Sequence, residues 1–400
     1  MKWGIIRESK VPSDRRVPLL PYQCRALLDK YPKLSIVVQP SDVRCISNKE
    51  YTEAGITLQE DLSDCDVLFG IKEVPAHLLI PNKTYVFFSH TIKEQAHNQK
   101  LLQSILEKNI TLIDYEALKD VKGNRVIAFG RFAGVVGAYN TFLLYGKKYR
   151  LFDLKPAHKC FDRKAMEEEM KKIHLPPLKI VVTGRGRVGS GIQSILNHLK
   201  IREVSPTEFL NRTFSEAVYT VVSSKDYHQS KEGIAWDAQH FHAHPELYNS
   251  TFLPYAKAAD ILIAGAYWDQ RGPMLFTVDQ MKDPSFHIRL ISDITCDING
   301  SIPSTVKPTN IYDPAYDYNP FTRDLEAPFS DPRNITVMAI DNLPCELPRD
   351  ASDDFGKQFM ENVAADLIHY PYGDLIERCA VTKDGKLTEA FSYLKRYAGV

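Results

Sequence analysis

What this 400-residue sequence lacks narrows it first. Cysteine is sparse: Cys24, Cys45, Cys65, Cys160, Cys296, Cys345 and Cys379 are scattered, odd in number and form no CxxC pair, which argues against both a zinc site and a disulfide framework. Charge of either sign is not in excess. Lys+Arg and Asp+Glu stand at 50 each, and no basic run of five residues occurs, so no net field draws the chain to nucleic acid. No apolar run approaches the roughly 18 residues that cross a bilayer, and the opening MKWGIIRESK has neither the apolar core nor the small-residue cleavage site of a secretion signal. A cytoplasmic protein with no membrane partner is expected. There is also no fixed-period repeat and no low-complexity tract. What remains, at 44% hydrophobic and 25% charged, is an ordinary globular composition whose length favours two domains.

Within that frame, short apolar runs (WGIIRE, LSIVVQP, DVLFGIKE, TYVFFSH, ITLIDYE) alternate with amphipathic stretches of helical period. Such alternation predicts parallel βαβ units. GRFAGVVGAYNTFLLYGKKY is apolar almost all round and reads as a helix buried on several sides, able to bridge two domains. A second α/β set starts at Leu178, and the proline-rich segment from Asn299 to Asn334 reads as loop. The expected architecture is α/β, with two Rossmann-like domains of parallel sheet and an active-site cleft between them. A substrate domain would comprise residues 1–139 and 326–400, with an inserted nucleotide domain over 140–325.

The inserted part opens on KIVVTGRGRVGSGIQSILNHL, in which Gly184, Gly186 and Gly189 form GxGxxG between an apolar strand and a helix carrying Val188, Ile192, Ile195 and Leu199 at helical spacing. In that context the first glycine turns the chain, the second admits a pyrophosphate and the third lets helix and strand pack closely. A carboxylate about 20 residues on usually holds the ribose of NAD, and a nearby arginine accepts the phosphate of NADP. Here Glu203 and Ser205 both occupy that region beside Lys200, Arg202 and Arg212, so NAD or NADP stays open.

Three cations before the loop fall near strand ends, where open α/β sheets gather ligands: Lys72 in DVLFGIKEVP, His90 in TYVFFSHTIK and Arg16 in SKVPSDRRVPLLP. A lysine among other cations can act as a base, and histidine titrates near neutrality unaided. At this point the motifs RESKVPSDRRVPLLP, GIKEVP, FFSHTIKEQ, LIDYEAL, AFGRFAGVVGAYN, TGRGRVGSG, DITCDINGSI and IDNLPCELPRDAS, in order from about residue 3 to 395, resemble the saccharopine dehydrogenases of lysine metabolism. The resemblance extends to the lysine–2-oxoglutarate reductase half of bifunctional enzymes, and more distantly to alanine dehydrogenase and the transhydrogenase nucleotide-binding subunit.

The resemblance implies an NAD- or NADP-dependent enzyme interconverting saccharopine with L-lysine and 2-oxoglutarate. It makes Lys72 and His90 the acid–base pair and Arg16 a substrate-carboxylate ligand, with Glu73, Lys93, Glu116 and Arg125 in the substrate pocket. Gly184, Gly186, Arg187, Val188 and Gly189 would contact the cofactor, Glu203 or Ser205 its ribose, and Asp297 its nicotinamide. The competing readings are an alanine dehydrogenase-like enzyme, separable by pyruvate plus ammonia, and a nucleotide-binding module without turnover. The histidines of HFHAH (His240, His242, His244) could ligate a metal from one strand face, but the following proline and polar neighbours favour a solvated loop, and no metal is expected. Oligomeric state is not encoded in any feature of the sequence.

Overall fold

The computed structural model describes residues 1–9 and 13–400; Lys10, Val11 and Pro12 of the first motif lie outside the described residues. The chain divides into two compact units, Met1–Phe129 with Pro348–Val400, and Gly130–Leu347. The organisation is discontinuous, but both divisions fall elsewhere than expected from sequence. The first comes earlier because the long apolar helix, Gly130–Tyr149, starts the second unit as a whole element. The second comes later because strand Ile335–Met338 completes the second unit's sheet before the chain leaves it. Among the described residues no helix is long and apolar enough to cross a membrane.

The first unit is built on β1 (Lys2–Ile5), β2 (Ser35–Val38), β3 (Thr57–Leu58), β4 (Val67–Phe69), β5 (Thr84–Phe87) and β6 (Thr111–Asp114). These strands are parallel, in the order β6-β5-β4-β1-β2-β3. Residues 36–38 of β2 and all of TYVF are β-branched or aromatic, and β4, β5 and β6 are buried at every residue, as strands covered on both faces must be. Sequence order reverses between β1 and β4, which makes their carboxyl ends the topological switch point where such sheets bind ligands. Helix Pro348–Asn362 closes one face: Phe359 meets Trp3 and Phe69 edge-on at 6.0 and 5.5 Å.

The second unit contains β7 (Lys179–Thr183), β8 (Arg202–Glu203), β9 (Val218–Val222), a small hairpin of β10 (His228–Ser230) and β11 (Tyr248–Ser250), then β12 (Ile261–Ala264), β13 (Leu290–Asp293), β14 (Tyr316–Tyr318), β15 (Leu325–Glu326) and β16 (Ile335–Met338). Its main sheet runs β15-β14-β16-β13-β12-β7-β9-β8 and is parallel except for β14 and β15. Helix Gly130–Tyr149 crosses helix Arg187–His198 at glycines. An added Cβ at Gly134 would lie 2.0 Å from Val188 O, and one at Gly191 2.0 Å from Arg131 O. Only two hydrogen side chains allow this approach. The chain then re-enters the first unit, whose sheet gains β17 (Thr382–Lys383) against β6 and β18 (Lys386–Leu387) at the edge, both antiparallel.

The expected loop from Asn299 to Asn334 is partly strand. Tyr316 and Tyr318 bury their rings, and buried Asp317 accepts from Thr336 Oγ1 at 2.6 Å, so pairing and burial outweigh the flanking prolines. The expected HFHAH loop is a short helix, Ala238–Ala243, because Asp237 caps it by accepting from His240 N at 2.7 Å. His240 Nδ1 lies 2.9 Å from Tyr248 Oη and thereby ties the helix to β11.

Candidate active site

The carboxyl ends of β4, β5 and β6 each deliver ionisable side chains to one edge of the first unit. Lys72 and Glu73 follow β4, His90 follows β5 and Glu116 follows β6. His90 holds a left-handed backbone, φ 53°, which turns its ring out of the strand direction to stack on Phe88 at 6.2 Å. Its Nε2 is 3.8 Å from Glu73 Oε1 and its Nδ1 3.5 Å from Glu116 Oε2. Glu116 Oε1 also takes Lys93 Nζ at 2.9 Å and Arg125 Nη1 at 3.4 Å. Burial, the largest single influence, raises the Glu116 pKa, but contacts from His90 and Lys93 with the charges of Lys93 and Arg125 outweigh it and hold the carboxyl at about 2. One carboxylate anion thus gathers an imidazole and two cations, and five expected residues (Glu73, His90, Lys93, Glu116, Arg125) form one linked cluster.

Two carboxylates that the sequence reading did not single out hold this edge together. Asp114, at the end of β6, accepts from Ser89 N at 2.9 Å, Ser89 Oγ at 2.5 Å and Glu116 N at 2.7 Å, which fixes the loops carrying His90 and Glu116. Its pKa is raised, first by burial. Glu8, just past β1, accepts from Ile71 N at 2.6 Å and Lys72 N at 3.0 Å. The only sequence signal for either was an acid close to a predicted strand end.

Arg16 is 3% exposed and lies with its guanidinium carbon 4.1 Å over the Phe129 ring. Its Nε and Nη2 are engaged by Asp14, at 3.0 and 2.6 Å. The two-pronged contact that the resemblance assigns to a substrate carboxylate is therefore made here by Asp14. The Asp14 pKa, raised chiefly by burial, ends well below the usual carboxylate range because the Arg16 guanidinium and, with a smaller effect, Lys72 favour its anion. That influence places the Lys72 ammonium in the Asp14–Arg16 neighbourhood.

In the second unit, Gly184 has φ 94°, and an added Cβ would meet Ala266 N and Cα at 2.9 Å. At Gly189 it would meet Gly184 O at 2.1 Å, whereas at Gly186 nothing lies within 4 Å. The loop is thus closed at its first and third glycines and open at its second, as a dinucleotide-binding turn requires. Gly186 caps helix Arg187–His198 without a side-chain bond, leaving the helix amino end to a ligand. Arg187 is exposed there; the Val188 side chain is directed to packing near Gly265 and Gly130, so its part toward a cofactor would be its amide.

The expected ribose residues are placed differently. Ser205 is the cap of helix Pro206–Asn211: its Oγ accepts from Glu208 N at 3.2 Å and Glu208 Oε2 takes the Ser205 hydroxyl at 2.9 Å. Glu203 lies on β8, exposed, accepting from Tyr219 Oη at 3.3 Å. The strand beside β7 is β9 and not β8, so Ser223 and Ser224 follow the neighbouring strand, while Glu203 is one strand further out. Asp297 sits in the loop after β13, half-buried, with its carbonyl accepting from Gly300 N at 2.8 Å. A cavity of about 210 Å³ beside the carboxyl ends of β7, β9 and β12 is walled by Thr183, Tyr227, His228, Phe241 and Trp268. Burial pulls the His228 pKa to about 4, so its imidazole is neutral there at pH 7. A larger opening of about 1000 Å³ lies at the amino ends of the first unit's strands, near Asp66, Thr84 and Thr111, away from the charged cluster.

With this geometry in view, comparison with known proteins is informative. Residues 4–136 match the model of the alanine dehydrogenase/PNT N-terminal domain. An L-alanine dehydrogenase structure superposes over 99% of both chains with a TM-score of 0.66 at 14% identity, a likeness of fold. The first third of the chain thus matches that domain, and the fold of the whole resembles that of L-alanine dehydrogenase. In sequence the chain is similar to alpha-aminoadipic semialdehyde synthases and to saccharopine dehydrogenases. It is 32% identical over 98% of its length to the alpha-aminoadipic semialdehyde synthase of Arabidopsis thaliana, covering 41% of that protein. It is 25% identical to the saccharopine dehydrogenase [NAD(+), L-lysine-forming] of Emericella nidulans, covering 90% of both. The chain spans less than half the length of the semialdehyde synthases it matches. The cofactor class that accompanies this loop and these relatives is a nicotinamide dinucleotide, NAD or NADP.

Proposed function

We propose that the chain is an amino-acid dehydrogenase that interconverts saccharopine with L-lysine and 2-oxoglutarate, using NAD(P)(H). The observation that carries this reading is the set of ionisable groups at the ends of β4, β5 and β6, on a chain whose second unit holds a GxGxxG turn open at its middle glycine. The bound dinucleotide accepts or supplies a hydride. Everything else falls to this chain's side chains.

In the oxidative direction the secondary ammonium of saccharopine loses a proton to Lys72, freeing the nitrogen lone pair. The C2–H bond breaks, its electron pair leaving as hydride, and a C=N bond forms. His90 takes a proton from water as its oxygen adds to that carbon; the proton held by Lys72 passes back to the nitrogen, the C–N bond breaks to release lysine as its amine, and the hydroxyl proton passes to solvent as the C=O bond forms. Several proton transfers need more than one base, and Lys72 and His90 supply two. Lys93 and Arg125, both drawn toward Glu116, suit carboxylates of the substrate, and Arg16 would join them once Asp14 yields part of its fork.

The test follows nicotinamide absorbance for saccharopine with NAD+ and NADP+, for lysine plus 2-oxoglutarate with NADH and NADPH, and for pyruvate plus ammonia beside them. Turnover with the lysine pair and not with pyruvate is expected. Lys72→Met should lower it about 10²-fold or more while nucleotide affinity holds. Turnover with pyruvate and ammonia alone would reassign the substrate.

A further inference from the structure

A carboxylate beside the Lys72 turn is tied to two consecutive backbone amides of that turn. Glu8 is half-buried as a residue, yet its two oxygens are directed inward, one to each of two consecutive amides, Ile71 and Lys72. Those amides lie just beyond β4, where the chain leaves the sheet, and β1 and β4 are neighbours in register from Trp3↔Val67 to Ile5↔Phe69. Gly70 sits between the two strands' exits; an added Cβ there would meet Ile6 Cδ1 at 2.8 Å and Glu8 Oε1 at 3.5 Å. The contact therefore spans the sheet's topological switch point and ends on the residue assigned to proton transfer.

We propose that Glu8 is the positioning residue for Lys72: as an anion it grips the Ile71 and Lys72 amides and holds the turn that presents the lysine side chain, and on protonation it lets that turn go. A carboxylate accepts at both oxygens, whereas a protonated carboxyl must turn one O–H toward an amide that also donates. The surroundings set this change near neutrality. Burial is the largest influence and lifts the Glu8 pKa to about 7, helped by the Asp14 charge, while the two amides and Arg16 oppose the rise. Tyr115 also senses Glu8: among the described residues its buried hydroxyl has no hydrogen-bond partner, and its pKa is pushed up first by burial and then by the Glu8 charge. Among the described residues, Asp14, Arg16 and Tyr115 are the titratable groups whose charges couple to this carboxylate, and the Lys72 charge acts in turn on Asp14.

The inference rests on the proposed function for its activity readout alone. Turnover of the wild-type chain should fall as pH drops through about 7, and Glu8→Gln should show kcat lowered about tenfold to a hundredfold with the acid limb changed to that of the remaining bases, while KM for nucleotide stays within about twofold. Glu8→Gln with the kcat and pH profile of the wild type would overturn the role. A second readout needs no substrate: amide exchange of the Ile71–Lys72 peptide, corrected for intrinsic rate, should lose protection in the wild type with a midpoint near pH 7 and be unprotected in Glu8→Gln. PH-invariant protection in the wild type would overturn the proposal even if the variant failed to fold. Absence of saccharopine turnover with exchange behaving as stated would defeat the substrate assignment and leave Glu8 in place.

Discussion

At the carboxyl ends of β4, β5 and β6 the first unit sets out a lysine, a histidine and two glutamates, while at the carboxyl end of β7 the second unit sets out Gly184, Gly186 and Gly189. One edge works through ionisable side chains, with His90 within 4 Å of both Glu73 and Glu116, the other through backbone that must approach backbone. The same architectural position thus carries two kinds of chemistry. Proton transfer needs ionisable atoms whose neighbours set their charge. A pyrophosphate needs amides and room. The difference predicts that the two edges fail in different ways: the second to a single added carbon, the first to a change of charge at constant volume.

The largest effect should come from carbon added where backbones touch. Gly134→Val must displace Val188 O from 2.0 Å, so the second unit should lose more than about 4 kcal/mol and its cooperative melting. Gly189→Ala, against Gly184 O at 2.1 Å, should abolish nucleotide binding and lower stability as well. Gly186→Ala sharpens the contrast: with nothing within 4 Å it should melt like the wild type and weaken only the nucleotide, read by calorimetric titration. Normal binding and melting in Gly189→Ala would remove the backbone-approach account.

On the first edge, Glu116 and Glu8 should give pH dependences of opposite sign. Glu116 is held at about 2, below its unfolded value, so its contribution to stability is present above about pH 4.5 and lost as pH falls through about 2. Glu8 is raised to about 7, so its contribution is present below about pH 4.5 and lost as pH rises through about 7. Each shift corresponds to about 3 kcal/mol over its window. Urea unfolding at a series of pH values should show wild type losing its advantage over Glu116→Gln on acidification. Against Glu8→Gln it should lose stability on going from pH 5 to 8. Parallel pH curves for wild type and either variant would show that the cited neighbours do not govern that carboxyl.

Much of this comparison was legible in the sequence, though unevenly. Buried parallel strands are short continuous apolar runs, so DVLFGI, TYVFF and ITLID announced β4, β5 and β6 and hence the places of Lys72 and His90, whereas Glu116 was singled out by the family resemblance alone. The glycine loop announced itself because its strand and helix flank it without a gap. The order of strands did not: nothing in the residues of β8 and β9 says that the later strand lies next to β7, because order depends on which crossover packs, so counting forward from the loop led to Glu203 and Ser205. Nor did Asp14 read as the partner of Arg16, or Glu8 and Asp114 as clamps, since a carboxylate's role depends on which amides the fold turns toward it. Tyr316–Tyr318 was hidden by its prolines, whose local signal is weaker than pairing with β16.

The smallest predicted effect separates a cap from a ligand. Ser205 satisfies Glu208 N at the start of helix Pro206–Asn211, and Glu208 returns the contact, so the serine's hydroxyl and amide both face their own helix. Ser205→Ala should therefore cost about 1 kcal/mol, as the loss of an N-cap side chain does, and leave the affinity for NAD and NADP unaltered. Glu203→Ala supplies the opposing measurement, since that carboxylate is exposed on the edge strand and accepts from Tyr219 Oη at 3.3 Å, and its removal should barely change melting. If a ribose hydroxyl is held from this edge, Glu203→Ala weakens the dinucleotide and Ser205→Ala does not. A loss of nucleotide affinity in Ser205→Ala at unchanged melting would instead mean that the hydroxyl leaves its helix when cofactor binds, and the second unit's edge would then owe part of its binding to a side chain after all.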